Sequence, residues 1–142
     1  MRKELADKIL QDYPELFAKT TPSVGDGWFN LVNSICDIIK NHLDQYPEEI
    51  RNQAYVTQIK EKFGTLRFYM NHEDDFMSGV IALAEYWSGS ICEDCGAKGV
   101  TRNVFGWMRT LCDKCYKKAG KEREKRVKKY AREEKAREKK KA

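Results

Sequence analysis

Three things are scarce in this 142-residue chain. Only two histidines occur, His42 and His72, so an acid–base site built on imidazole has little to draw on. No run of about eighteen apolar residues is present, which excludes an ordinary membrane-spanning helix. The residues after Met1 carry mixed charge where a secretory signal would place an apolar run. The expectation is therefore a reducing, intracellular setting.

Against that background the 5 cysteines stand out. Four of them fall at Cys92, Cys95, Cys112 and Cys115: two residues separate each pair and sixteen lie between the pairs. A two-residue gap lets one tight turn deliver two thiolates to the same ion, and this spacing matches a four-cysteine zinc site. A disulfide pair would need an oxidising compartment, and a redox dithiol would leave one pair unexplained. The expected cofactor is one structural zinc ion. Four thiolates fill its coordination sphere, so no water is activated there. The fifth cysteine, Cys36, lies on the apolar side of a predicted helix and reads as a buried free thiol.

The sequence around the cysteines suggests a geometry. Cys95-Gly96 fits a knuckle in which glycine takes the backbone angles that turn amides toward sulfur. Residues 100–111, with Gly106 near the middle, predict a short hairpin, and residues 113–119 a helix. Knuckle, hairpin and helix make a treble clef. The segment resembles GATA-type zinc fingers in its Cys-x-x-Cys-Gly-Ala start, in Trp107 and Arg109 between the pairs, and in the basic stretch after Cys115. That resemblance implies DNA binding, although treble clefs also dock proteins or act as purely structural units.

Charge is divided unevenly. Residues 117–142 hold 14 Lys/Arg and 5 Asp/Glu, a net +9, which leaves 13 basic and 17 acidic residues, a net −4, in residues 1–116. The asymmetry points to a polyanion, an acidic partner or a solubilising tail. Within the tail, Glu122 with Arg126, Glu124 with Lys128 and Glu133 with Arg137 have a favourable four-residue spacing. The expectation is a solvated helix that frays toward its end.

Upstream, residues 3–18 read as an amphipathic helix broken or restarted at Pro14. Residues 20–27 form a loop in which Asp26 could cap the next helix. That helix starts near Trp28 and ends near Pro47, with Leu31, Val32, Ile35, Ile38, Ile39 and Leu43 on a broad apolar face. Residues 55–59 and 66–70 predict strands joined by a turn at Gly64. Leu66, Phe68 and Met70 point one way. Lys60, Lys62, Arg67 and Tyr69 form either a basic-aromatic patch or an ordinary solvated face. The acidic run before Phe76 fits capping of a third helix better than a metal site.

Several landmarks resemble a family of small proteins encoded by tailed bacteriophages and prophages: Tyr13-Pro-Glu-Leu-Phe17, Gly25-Asp-Gly-Trp28, Lys60-Glu-Lys-Phe-Gly-x-Leu-Arg-Phe-Tyr69, the paired cysteines and Trp107-x-Arg-Thr-Leu-Cys112. The resemblance spans roughly residues 10–116, excludes the lysine-rich tail, and implies a viral origin in bacterial cytoplasm without an activity.

The expected fold is α+β. An α+β body over residues 1–90 has a core dominated by Trp28, Phe68, Phe76 and Trp87. It leads into a four-cysteine unit over 91–120 and a charged tail over 121–142. Candidate nucleic-acid contacts are Arg102, Arg109, Lys114, Lys117, Lys118, Lys121, Arg123, Lys125 and Arg126. The alternative is a protein-binding module that inhibits or redirects a host enzyme in transcription or defence. A nuclease would need a histidine or carboxylates facing the metal, and both histidines lie outside the finger. Neither a membrane nor a small-molecule substrate is implied.

Overall fold

The computed structural model describes residues 1–18 and 20–141, with side chains as far as Glu138. Among the described residues, five α-helices and two antiparallel hairpins form an α+β fold. The first helix, α1 (Lys3–Asp12), stops before Pro14, and Leu16 and Phe17 continue the buried surface from the turns that follow. Proline has no N–H to donate and clashes with the preceding turn, so the expected helix is shortened.

Asp26 does not cap its own helix. Its carboxylate accepts the Arg2 backbone N–H at 2.6 Å and the Arg2 guanidinium, closing α1 onto the loop before Trp28. A short 3₁₀ turn (Asp26–Trp28) then feeds α2 (Phe29–Leu43). Val32, Ile35, Cys36, Ile39 and Leu43 are buried, while Ile38 is exposed. Cys36 is the buried free thiol expected, and burial pushes its pKa far up. A single turn, α3 (Glu48–Arg51), leads into β1 (Val56–Lys62) and β2 (Thr65–Met70).

The outer edge of β2 is covered by α4 (Asp75–Ser88). Leu66 N–H donates to Ser88 Oγ at 2.8 Å, and Phe68 N–H donates to Glu85 Oε1 at 2.9 Å. These bonds satisfy donors that a third strand would otherwise take. The acidic run caps α4 as expected: Asp74 accepts the Met77 N–H at 2.9 Å.

One expectation about the core is corrected. Trp28 and Phe68 are buried, but Phe76 is 50 % and Trp87 59 % exposed. The inward stripe of α4 is Met77, Ile81, Ala84 and Ser88, one residue out of phase with Phe76 and Trp87. Small residues at 84 and 88 allow Ser88 to reach the β2 backbone. Large aromatics in their place would hold the helix off the sheet.

After α4 come the knuckle, the second hairpin β3 (Val100–Val104) and β4 (Trp107–Leu111), and α5 (Asp113–Lys141). This last helix runs unbroken through Gly120, across the expected boundary between metal unit and tail. Ala142 lies outside the described residues. The long helix forms the ion pairs Lys118–Glu122 and Lys129–Glu133, at 3.9 and 3.8 Å, in place of the expected pairs. No helix among the described residues is long and apolar enough to cross a membrane.

Candidate metal centre and its surroundings

Two turns and two secondary elements bring the four sulfurs together. Cys92 and Cys95 sit in the knuckle, where Gly96 N–H bonds the Cys92 carbonyl at 2.8 Å and Cys92 N–H bonds the Ala97 carbonyl at 2.7 Å. Gly96 has φ of 78°, a conformation that a β-carbon disfavours. Cys112 closes β4, and Cys115 lies in the first turn of α5. All four Sγ atoms lie within 4.8 Å of one another, and Cys95 and Cys112 are 3.7 Å apart. A tetrahedron with metal–sulfur bonds of about 2.3 Å has edges of about 3.8 Å. The four cysteines are thus placed to hold one metal ion.

The thiols differ in environment. Cys92 and Cys115 are buried, and Cys95 is exposed. The Cys115 backbone N–H, 3.4 Å from Cys112 Sγ, contributes most to holding the Cys112 thiol down at about 7. Burial pushes Cys115 the other way. A cation supplies what four converging thiolates need, because it favours their deprotonated forms.

The knuckle is bolted to the body through the Gly25-Asp26-Gly27 loop. Gly27 N–H donates to the Glu93 carbonyl at 2.9 Å, and Trp28 Nε1–H donates to the Ile91 carbonyl at 2.9 Å. A second bolt joins the hairpins: Thr110 Oγ1–H donates to the Gly64 carbonyl at 2.6 Å. These long-range bonds make the metal unit a packed part of the molecule.

Beside the metal ligands, Glu93 is buried and ion-paired to Arg109, which also reaches Asp94 at 2.7 Å. Burial raises the Glu93 pKa despite that cation. Burial works against the Arg109 charge too, but Glu93 and Asp94 outweigh it, and its pKa is raised. Arg109 therefore reaches inward and braces the knuckle against β4. Arg102 bonds Asp113 at 2.9 Å and lies 4.9 Å from the Tyr116 ring centre. Both arginines between the cysteine pairs are occupied within the unit.

The remaining candidates all lie on α5, where Lys114, Lys117, Lys118, Lys121, Arg123, Lys125 and Arg126 are exposed. At 100° per residue they do not share one face. Lys114, Lys118, Lys121 and Lys125 do, and the same stripe continues through Lys128 and Arg132. Its positions advance by four and three residues alternately, so the six cations stay within about 80° of arc over roughly 27 Å. Arg123 lies on the opposite side, with its guanidinium 4.1 Å from the Phe105 ring centre. Lys128 and Arg132 were not among the expected contacts. The periodicity was in the sequence, but a boundary drawn after Gly120 divides the stripe.

Comparison of the chain with protein-family profiles, with curated proteins and with solved structures gives no match.

Proposed function

We propose that this protein is a non-enzymatic phage accessory protein acting in the cytoplasm of its bacterial host. It holds one structural zinc ion on Cys92, Cys95, Cys112 and Cys115, and it binds nucleic acid through the metal unit and the basic helix. The metal roots α5 through Cys115, and the helix carries cations outward on one side.

The observation that carries this reading is the exposed stripe Lys114, Lys118, Lys121, Lys125, Lys128 and Arg132 along a single helix, with no acid at its own positions and Glu122 pairing with Lys118 from the flank. Such a row contacts phosphates without reading bases. If all six cations engage duplex DNA, the logarithm of the binding constant falls with the logarithm of salt at a slope of about −5. Replacing Lys114, Lys118, Lys121 and Lys125 by glutamine should flatten that slope by about 3 to 4. Replacing Arg126 and Arg137, which lie off the stripe, should leave the slope nearly unchanged, well short of the loss of about 2 that two engaged cations would give. The absence of binding to DNA and RNA at moderate salt would overturn the proposal.

A protein-binding role, inhibiting or redirecting a host enzyme, is favoured by a different observation. Helix α4 exposes Phe76, Leu83, Tyr86 and Trp87. Large exposed apolar and aromatic side chains on one helix are typical of docking faces. That reading predicts a host interaction untouched by the four-lysine variant and lost on Leu83→Ala with Trp87→Ala.

A further inference from the structure

The two hairpins share a turn that most sequences avoid. Phe63-Gly64 links β1 to β2, and Phe105-Gly106 links β3 to β4, each as a two-residue loop. All four residues have positive φ: 54° and 81° in the first turn, 59° and 91° in the second. Asn-Gly is the usual choice for such a loop, and a bulky residue at its first position is a steric outlier. The same support appears at both tips. Glu61 accepts the Gly64 N–H at 2.6 Å, and Asn103 accepts the Gly106 N–H at 2.7 Å, each from three residues upstream.

Neither phenylalanine is repaid by burial, since Phe63 is 72 % and Phe105 50 % exposed. Beside them Trp107 is 66 % exposed, and its Nε1–H is tied to Glu61 Oε2 at 3.2 Å. That bond fixes the indole between the two hairpins. Phe63 and Trp107 line one shallow groove of about 390 Å³, and Phe105 lines a neighbouring one against α5. Cations stand over two of the rings: Lys62 Nζ is 5.7 Å from the Phe63 centre, and Arg123 lies over Phe105.

We infer that the paired hairpin tips are a stacking platform for unpaired bases of single-stranded nucleic acid, with Phe63, Trp107 and Phe105 as ring surfaces and Lys62 and Arg123 as phosphate partners. This inference rests on the nucleic-acid reading above and names its substrate class. Ring faces accept any base, and interleaved cations match the backbone charge. A duplex hides its base faces and gains nothing from exposed rings. Local strain held at both tips is expected where a fold keeps a conformation for function.

The test is anisotropy of a labelled oligothymidylate of about 16 nucleotides, the upper site size for one binding surface, beside a duplex of equal length. The full chain is used with its metal. Single strand should bind more tightly than duplex. Trp107→Ala and Phe63→Asn should each lower single-strand affinity roughly 5- to 150-fold, with duplex affinity changed less than about twofold. Phe63→Asn should melt no lower than the parent, because asparagine accepts positive φ, so its binding loss cannot be assigned to unfolding. Equal affinity for both ligands with neutral variants would overturn the platform while leaving the basic-helix reading intact. Failure to bind either ligand would overturn both, and the tips would then be assigned to a protein partner.

Discussion

Gly27 lies against the backbone of Cys92 so closely that a β-carbon on it would stand 2.0 Å from the Cys92 carbonyl oxygen. The same atom would meet the Gly96 nitrogen at 2.4 Å. Both obstacles are backbone atoms of the knuckle, and neither can swing aside. Gly27→Ala should therefore force the metal unit off the body and destabilise the fold by about 3 kcal/mol or more, the upper range for overpacking. Thermal denaturation and metal content measured on one sample check this. An alanine variant with an unchanged melt and full metal would refute the docking geometry.

Gly120 provides the opposite case. A β-carbon there meets nothing within 4 Å, and the residue sits inside α5. Gly120→Ala should stabilise the helix by about 0.5–1 kcal/mol. Far-ultraviolet circular dichroism should show α5 retaining helicity to higher temperature.

Removal of the metal should undo the second half of the molecule first. A strong chelator, or Cys112→Ser, should release the knuckle and abolish the cooperative melt of the metal unit, because metal binding supplies folding free energy. Loss of the ion with unchanged stability in Cys112→Ser would contradict a structural role. Intact-mass spectrometry under native conditions reports the ion and its stoichiometry.

Arg109→Ala should cost about 2 kcal/mol, less than the 3–5 of a fully buried pair because Arg109 is partly exposed. The pH dependence has a definite sign. Glu93 already has a raised pKa from burial. Without Arg109 it rises further, and the folded state prefers the protonated acid more strongly. The cost of the substitution should thus grow as pH rises through the parent's raised folded value toward the still higher value of the variant. Arg109→Lys should recover only part of the loss, since lysine cannot bridge Glu93 and Asp94 with a planar fork. Urea denaturation at several pH values resolves both effects.

Asp74 behaves in the reverse sense. The Met77 N–H, and then His42 Nε2 at 2.6 Å, hold its carboxyl below the ordinary value of 3.8. Its contribution is complete above that value and is lost as pH falls through the depressed folded value. Asp74→Ala should cost about 1 kcal/mol at neutral pH as a lost helix cap. The gap between variant and parent should close below pH 3.8.

Helix α4 shows where sequence reading stopped short. Met77, Ile81, Ala84 and Ser88 recur at helical spacing, and so do Phe76, Val80, Leu83 and Trp87 one position earlier. The two stripes are about 100° apart, and periodicity alone does not rank them. Larger side chains favour the second stripe on burial energy. The structure selects the first because two small residues let the helix approach β2 closely enough for Ser88 and Glu85 to cap the strand edge.

The glycines at 25 and 27 make the same point. In sequence they suggest a flexible loop around a capping aspartate. The α-hydrogens that stand where a β-carbon would be in fact face the backbone of Glu93 and Cys92, more than sixty residues away. No local pattern reports so distant a neighbour.

What the sequence determined by itself is whatever depends on short spacing: the cysteine pairs and their fourfold convergence, the glycine turns of both hairpins, the cap on α4 and the excess of positive charge after Cys115. Each follows from backbone geometry over a few residues. Only the tertiary structure decided which helical stripe turns inward, that Arg109 serves Glu93 and Asp94, and that two Phe-Gly turns stand on either side of Trp107. Those outcomes depend on how closely two surfaces approach, and that distance is set by side chains remote from one another in the chain.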